Sequence, residues 1–227
     1  MYIKTYMSTP VITISPDLTI PKARNILKAN NFRHLPITDE NSCLVGIVTD
    51  RDLRSAYPSL VLPEEERRAA MEKLEKTPVS EIMSTGIKTL SPYDTIDDGL
   101  LLLDKLNVGA LPVVDKKGRV RGMFSIRDLI RAYRRIFGIG EKGSALVGIS
   151  VDDESNIMGN IIRALEDHEV PVTRICIVEN EIHQQEKTRT VYIRVQTFNI
   201  KKVRKLLSEV GFNVLEPPED QRILGNN

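Results

Sequence analysis

The sequence predicts an α+β fold: two copies of a β-α-β-β-α unit followed by a β-α-β-β-α-β segment. Three observations predict it. First, GIVTDRDL at Gly46–Leu53 returns as GMFSIRDL at Gly122–Leu129, a shift of 76 residues. The same shift superposes Met7-Ser8-Thr9 on Met83-Ser84-Thr85, Thr19-Ile20 on Thr95-Ile96, Leu35-Pro36 on Leu111-Pro112 and Asp39 on Asp115, without a gap. Second, apolar spacing within each copy switches between the helical and the strand period. Third, a new pattern begins after Ser144. A repeated unit usually stacks on its copy to bury a face that neither buries alone.

Each repeat opens with VITISP or IKTLSP, read as a first strand. A helix follows, with Thr19 or Thr95 as its N-cap and with Asp97 and Asp98 suited to the first turn of the second copy. Ile20, Ala23, Ile26 and Leu27 recur along it at helical spacing, as do Ile96, Gly99, Leu102 and Leu103, with Leu106 beyond. The runs LPIT and LPVV each end at an aspartate before a polar turn. Asp115-Lys116-Lys117-Gly118 has the composition of a tight one. LVGIV and VRGMF complete a strand pair, and RDLRSAY or RDLIRAYRRIF forms the closing helix. Between the copies, a charged helix with Glu64–Arg68 and Glu72–Lys76 at i,i+4 spacing, and Met71 and Leu74 on a common side, reads as a surface connection.

In the last third, ALVGISV reads as a strand and SNIMGNIIRALEDHEV as a helix with Ile157, Ile161, Ile162 and Leu165 on one side. VTRICIVEN and RTVYIRVQT form a strand pair, NIKKVRKLLSEVGF a second helix and NVLEPPE a last short strand. This is the split β-α-β order of ferredoxin-like domains. The expected boundaries are 1–57 and 78–137 for the repeats, 58–77 for the helical connection, 138–144 for a flexible linker, 145–217 for the last domain and 218–227 for a flexible tail.

Composition excludes several classes. The 32 basic and 31 acidic residues nearly cancel, so no global footprint for nucleic acid exists. Two distant cysteines, Cys43 and Cys176, write neither a disulfide framework nor a zinc site. No apolar run approaches the ~20 residues of a membrane helix, and the first residues lack a signal-peptide core. A cytoplasmic protein that does not engage the membrane is expected. GIGEKG at Gly138–Gly143 matches G-x-G-x-x-G but follows a helix and precedes a strand, the reverse of a dinucleotide fingerprint. His34, His168 and His183 share no metal-like spacing; His168 is expected at a helix end and His183 in a polar turn. Arg127, Arg131, Arg134 and Arg135 fall near one helical face, read as solvated or dimer-facing surface rather than a phosphate or nucleic-acid contact. No constellation for catalysis appears, and no enzyme is expected.

The repeated Thr49-x-x-Asp52 and Ser125-x-x-Asp128 admit two readings. A hydroxyl residue with an acid three positions on is a capping box. The same helix start offers free N–H groups suited to a phosphate, with the hydroxyl donating to it and the aspartate accepting from ribose hydroxyls. A box alone does not explain a repeat of more than fifty residues.

The recurring M-[ST]…T-h-S-P…L-P-h-h-D…G-h-h-[ST]-x-x-D unit resembles the CBS domain, and two copies resemble a Bateman module. The likeness covers about residues 1–137. It implies a regulatory site for AMP, ADP or ATP, or for S-adenosylmethionine, and no catalytic cofactor. Carried over by position, it nominates Val11, Ile12, Phe32, Arg33, His34 and Pro36 with Thr49 and Asp52 for a first site. It nominates Ile87, Lys88, Val108, Gly109, Ala110 and Pro112 with Ser125 and Asp128 for a second. Arg51 and Arg127 stand between hydroxyl and aspartate, within reach of phosphates. The first site is better equipped for a charged tail, with Arg33 and His34 where the second has Gly109 and Ala110.

The last domain resembles the ACT domain, a small regulatory fold that often binds amino acids and pairs sheets between chains. ACT domains usually carry a glycine between first strand and helix; here that stretch is DDESNIM, where only Asn156 is suited to the backbone needed. Dimerisation is the role expected. Two CBS units with an ACT-like domain resemble the bacterial acetoin-utilisation regulatory proteins. The expected function is therefore an adenine-nucleotide sensor, forming a homodimer and signalling to a regulated protein. A ligand-free interaction module is the alternative, and a nucleic-acid regulator using the arginine face a third reading.

Overall fold

The computed structural model describes residues 1–151, 156–182 and 186–216. The turn holding His183 and the tail 218–227 lie outside the described residues. The chain divides into two compact units, Met1–Ala132 and Tyr133–Asn227.

In the first unit, copy one comprises α1 (Ile20–Asn30), β1 (His34–Thr38), β2 (Leu44–Thr49) and α2 (Asp50–Ser55). The connecting helix is α3 (Glu64–Lys76). Copy two comprises α4 (Ile96–Leu106), β3 (Ala110–Val114), β4 (Val120–Ser125) and α5 (Ile126–Ile136), the last crossing into the second unit. β1 pairs antiparallel with β2 and β3 with β4, with a register shift at the same place in both ladders. The expected first strands are corrected: VITISP and IKTLSP contribute only single parallel bridges, Ile14 to Ile37 and Leu90 to Val113. Pro36 and Pro112 face them without an N–H to donate, so the ladder cannot extend.

Thr95 forms a full capping box with Asp98, whereas Thr19 caps by position only. The first copy has Lys22 where the second has Asp98, so the return bond has no acceptor. Asn31 and Asn107 end α1 and α4 in the left-handed conformation. The predicted turn closes with Gly118 N–H donating to Asp115 O at 2.9 Å and Gly118 at φ 78°. Asp115 sits in a cradle of donors. Although burial acts to raise its pKa, the Arg119 and Lys117 amides and the Arg121 and Arg119 guanidiniums hold the carboxyl well below the usual carboxylate range.

The two copies exchange their leading segments. Ile3, fully buried, docks on the second copy: its amide donates to Asp94 O, and Ser8 bridges Met123. Val79, also fully buried, joins the core of the first copy, and Ser84 bridges Ile47. This exchange explains the repeated glycine. A Cβ on Gly46 would stand 2.5 Å from Met83 Sδ, and one on Gly122 2.8 Å from Met7 Sδ. Each glycine makes room for the other copy's Met-Ser. The connecting helix α3 is more than a surface link, because Leu74 is buried in the first core and Met71 packs against it.

The second unit runs β5 (Ser144–Val151), α6 (Ile157–Glu166), β6 (Val172–Ile182), β7 (Glu186–Gln196), α7 (Ile200–Glu209) and β8 (Asn213–Val214). Its sheet has the order β6-β7-β5-β8, every neighbour antiparallel. Val147, Ile149, Val191, Ile193 and Val195 from the sheet meet Ile161, Leu165, Val203 and Leu207 from the helices in one core. The expected linker 138–144 is contacted from β6. Arg174 donates to Ile136 O at 2.9 Å and forks onto Glu141, at 2.9 Å to each oxygen. Asn156 adopts φ 74°, the left-handed backbone anticipated for it. His168, just past the end of α6, contacts Ala164 O through Nδ1 at 2.9 Å. Among the described residues no helix is long and apolar enough to cross a membrane, and no group of His, Cys, Asp or Glu is placed to hold a metal.

Candidate functional site

The exchange of leading segments creates a cavity of about 440 Å³ between the two copies, within the range of small-molecule sites. Val11, Ile12 and Phe32 from the first copy, with Ala110 and Met123 from the second, make its apolar part. Arg33, His34, Ser125, Arg127, Asp128 and Arg131 make its polar part.

The capping reading of the repeated motif holds in both copies. Thr49 Oγ1 accepts from Asp52 N while Asp52 Oδ2 accepts from Thr49 N at 2.8 Å and from Oγ1 at 2.7 Å. In the second copy Asp128 Oδ2 accepts from Ser125 N at 2.8 Å and Oγ at 2.6 Å. Asp128 goes further. Its Oδ1 accepts from Ser8 Oγ at 2.9 Å and from the Arg131 guanidinium, and the residue is 1% exposed. Among the described residues the hydrogen bonds accepted by the Asp52 carboxylate all fall on Oδ2.

His34 opens β1, opposite Thr49, and its imidazole lies 3.6–3.8 Å from where a Cβ on Gly109 would stand. A Cβ there would meet the ring at ordinary van der Waals distance, so the imidazole of the first copy packs against the backbone of the second. Burial, helped by the Arg33 charge and opposed by Asp52, holds the His34 pKa below its usual value. The imidazole is neutral near pH 7.

The structure brings together Val11, Ile12, Phe32, Arg33, His34, Gly109, Ala110, Ser125, Arg127 and Asp128. The grouping differs from that expected, since the segment around Val11 and Ile12 meets Ser125 and Asp128 rather than Thr49 and Asp52. The crossing of residues 1–8 onto the second copy is the reason. Thr49 and Asp52 lie beside His34 but outside this lining, as do Arg51, Ile87, Lys88 and Val108. The bridge between Ile47 and Ser84 repeats that between Met123 and Ser8, placing these residues on the related face. Pro36 and Pro112 are buried strand residues outside the lining. Ser8, Pro10, Asn31, Met123, Ile126 and Arg131 line the cavity without having been nominated. Ser8 carried a signal in the repeated Met-Ser-Thr. Arg131, expected on a plain surface, carried one only in its i,i+3 spacing from Asp128.

Comparison with known proteins follows the same division. The CBS domain profile matches residues 3–59 and 79–135, together half the chain. A CBS domain-containing protein of Dictyostelium discoideum is 41% identical over 128 residues, spanning 56% of this chain and 88% of that protein. Several curated enzymes share only the pair, and the chain spans 22–24% of their length. The CBS domain pair of protein MJ0100, solved in complex with 5'-methylthioadenosine and S-adenosyl-L-methionine, is similar at 29% identity and a TM-score of 0.50, covering 60% of this chain and 98% of that one. A Vibrio cholerae protein assigned to acetoin utilization is similar at 26% identity and a TM-score of 0.51, covering 63% of this chain and 96% of that one. With two gapless copies of the repeat, folded as a pair around one cavity, the chain belongs to the CBS domain family.

Proposed function

We propose that the chain is a non-catalytic sensor that binds an adenine nucleotide in the cavity between its two CBS copies. One observation carries this reading: a cavity of ligand size whose apolar wall of Val11, Ile12, Phe32, Ala110 and Met123 leads to a buried aspartate flanked by Arg33, Arg127 and Arg131. An adenine ring suits the apolar wall, a ribose the Asp128 carboxylate, and a phosphate the arginines and the start of α5. Adenosyl ligands on the similar pair of MJ0100 support the ligand class.

The related face, with Ile87, Lys88 and Val108 near Thr49, Arg51 and Asp52, is a second candidate for such a ligand. The C-terminal unit, ACT-like in element order, holds a homodimer and passes the ligand-dependent arrangement of the pair to a regulated protein. The likeness to the Vibrio cholerae protein makes acetoin utilisation the pathway to try first.

The test is calorimetric titration of AMP, ADP, ATP and S-adenosylmethionine into the wild type, Asp128→Asn and Asp52→Asn. Binding weakened by Asp128→Asn supports the reading. Absence of binding by every ligand hands the function to the alternative, an interaction module whose surfaces do the work.

A further inference from the structure

Resting on that reading, we propose that Arg131 makes the Asp128 cleft selective for phosphorylated nucleosides: it occupies the carboxylate oxygen a ribose needs, and a bound phosphate takes it over. A carboxylate has two oxygens and about four acceptor positions. At Asp128, Oδ2 is used by the amide and hydroxyl of Ser125, and Oδ1 by the Ser8 hydroxyl and the Arg131 guanidinium. A ribose diol reaches this buried carboxylate only by displacing one of them.

Arg131 is the partner free to move. Ser8 is fixed by its backbone, which donates to Met123 O at 2.8 Å and accepts from Met123 N at 3.1 Å. Arg131 hangs from α5 on a long stem with 67% of its side chain exposed. Once displaced, its guanidinium stands with Arg33 and Arg127 around one cavity. Adenosine offers these three cations no counter-charge, and a sulfonium adds to the repulsion. A phosphate receives the freed guanidinium in bidentate geometry. The first copy lacks the device: its position equivalent to Arg131 is Ser55, too short to cover Asp52.

The experiment is calorimetric titration of adenosine and ADP into full-length wild type, Arg131→Ser and Arg131→Lys. Arg131→Ser copies the first repeat. It is expected to bind adenosine about 10-fold more tightly, the competitor being gone, and ADP about 10-fold more weakly, the range of one charged hydrogen bond. Arg131→Lys keeps a cation and is expected to keep a preference for ADP close to that of wild type, which also separates selectivity from a folding defect. If both ligands bind wild type and Arg131→Ser changes their affinities by the same factor, or leaves them unchanged, the proposal is overturned. If neither ligand binds any variant, the nucleotide reading itself has failed and the proposal falls with it.

Discussion

Asp128 is where the capping and ligand-binding readings of Ser-x-x-Asp meet, because the same carboxylate that closes the box is turned into the cavity. Its substitution by Asn keeps the shape and removes the charge, so nucleotide affinity is expected to fall about 10- to 100-fold, the worth of a charged hydrogen bond. His34 adds a pH dependence. The free protein holds its pKa below the usual value, and an incoming phosphate would favour the charged ring and raise it. Binding therefore takes up a proton, and affinity for AMP increases as pH falls through the His34 pKa of the complex toward the lowered one of the free protein. Titrations in buffers of different ionisation enthalpy are expected to show this uptake in wild type and not in His34→Asn. Adenosine, without a phosphate, is expected not to show it. Individual candidate residues were legible where they recur: the hydroxyl and aspartate stand out because both copies carry them. Their grouping was not, since which Val-Ile segment meets which aspartate depends on a crossing between copies that local spacing does not encode.

At the level of elements, the exchanged Met-Ser segments fasten each copy to the other through its glycine. Gly122→Ala drives a methyl toward Met7 Sδ and Ser8 O at 2.9 Å. It is expected to cost about 1–3 kcal/mol, as overpacking does, and to weaken nucleotide binding because Ser8 moves with Met7. A lower midpoint in denaturant titration with an unchanged slope checks the first part. The two N-caps offer a second comparison. Thr95→Ala removes a complete box and is expected to cost about 1 kcal/mol, whereas Thr19→Ala removes no side-chain cap bond and should cost less. Helices and paired strands were readable from apolar periodicity. The opening strands were not, because a proline in the facing strand limits pairing to one residue and no feature of VITISP itself announces that. The contacts that the distant Arg174 makes with Ile136 and Glu141 around the linker are invisible to any local pattern.

For the whole molecule, the account is a ligand-biased pair of CBS copies attached to an antiparallel sheet unit. A nucleotide shifts such an equilibrium only by its unequal affinity for the arrangements available. If the C-terminal unit holds a homodimer, sedimentation of the full chain is expected to give twice the chain mass with and without nucleotide. A monomer in both states would move the signalling role away from that unit. The doubling of the repeat made the pair the most readable part of the chain, and the β-α-β-β-α-β order of the last unit was readable too. The cavity was not, because it is built by both copies at once. The most direct measurement is a crystal structure of the full chain grown with ADP. The account predicts adenine against Val11, Ile12 and Phe32, ribose hydroxyls on Asp128, and phosphates among Arg33, Arg127 and Arg131. Nucleotide seated elsewhere, with Ser8 and Arg131 still on Asp128, would contradict it.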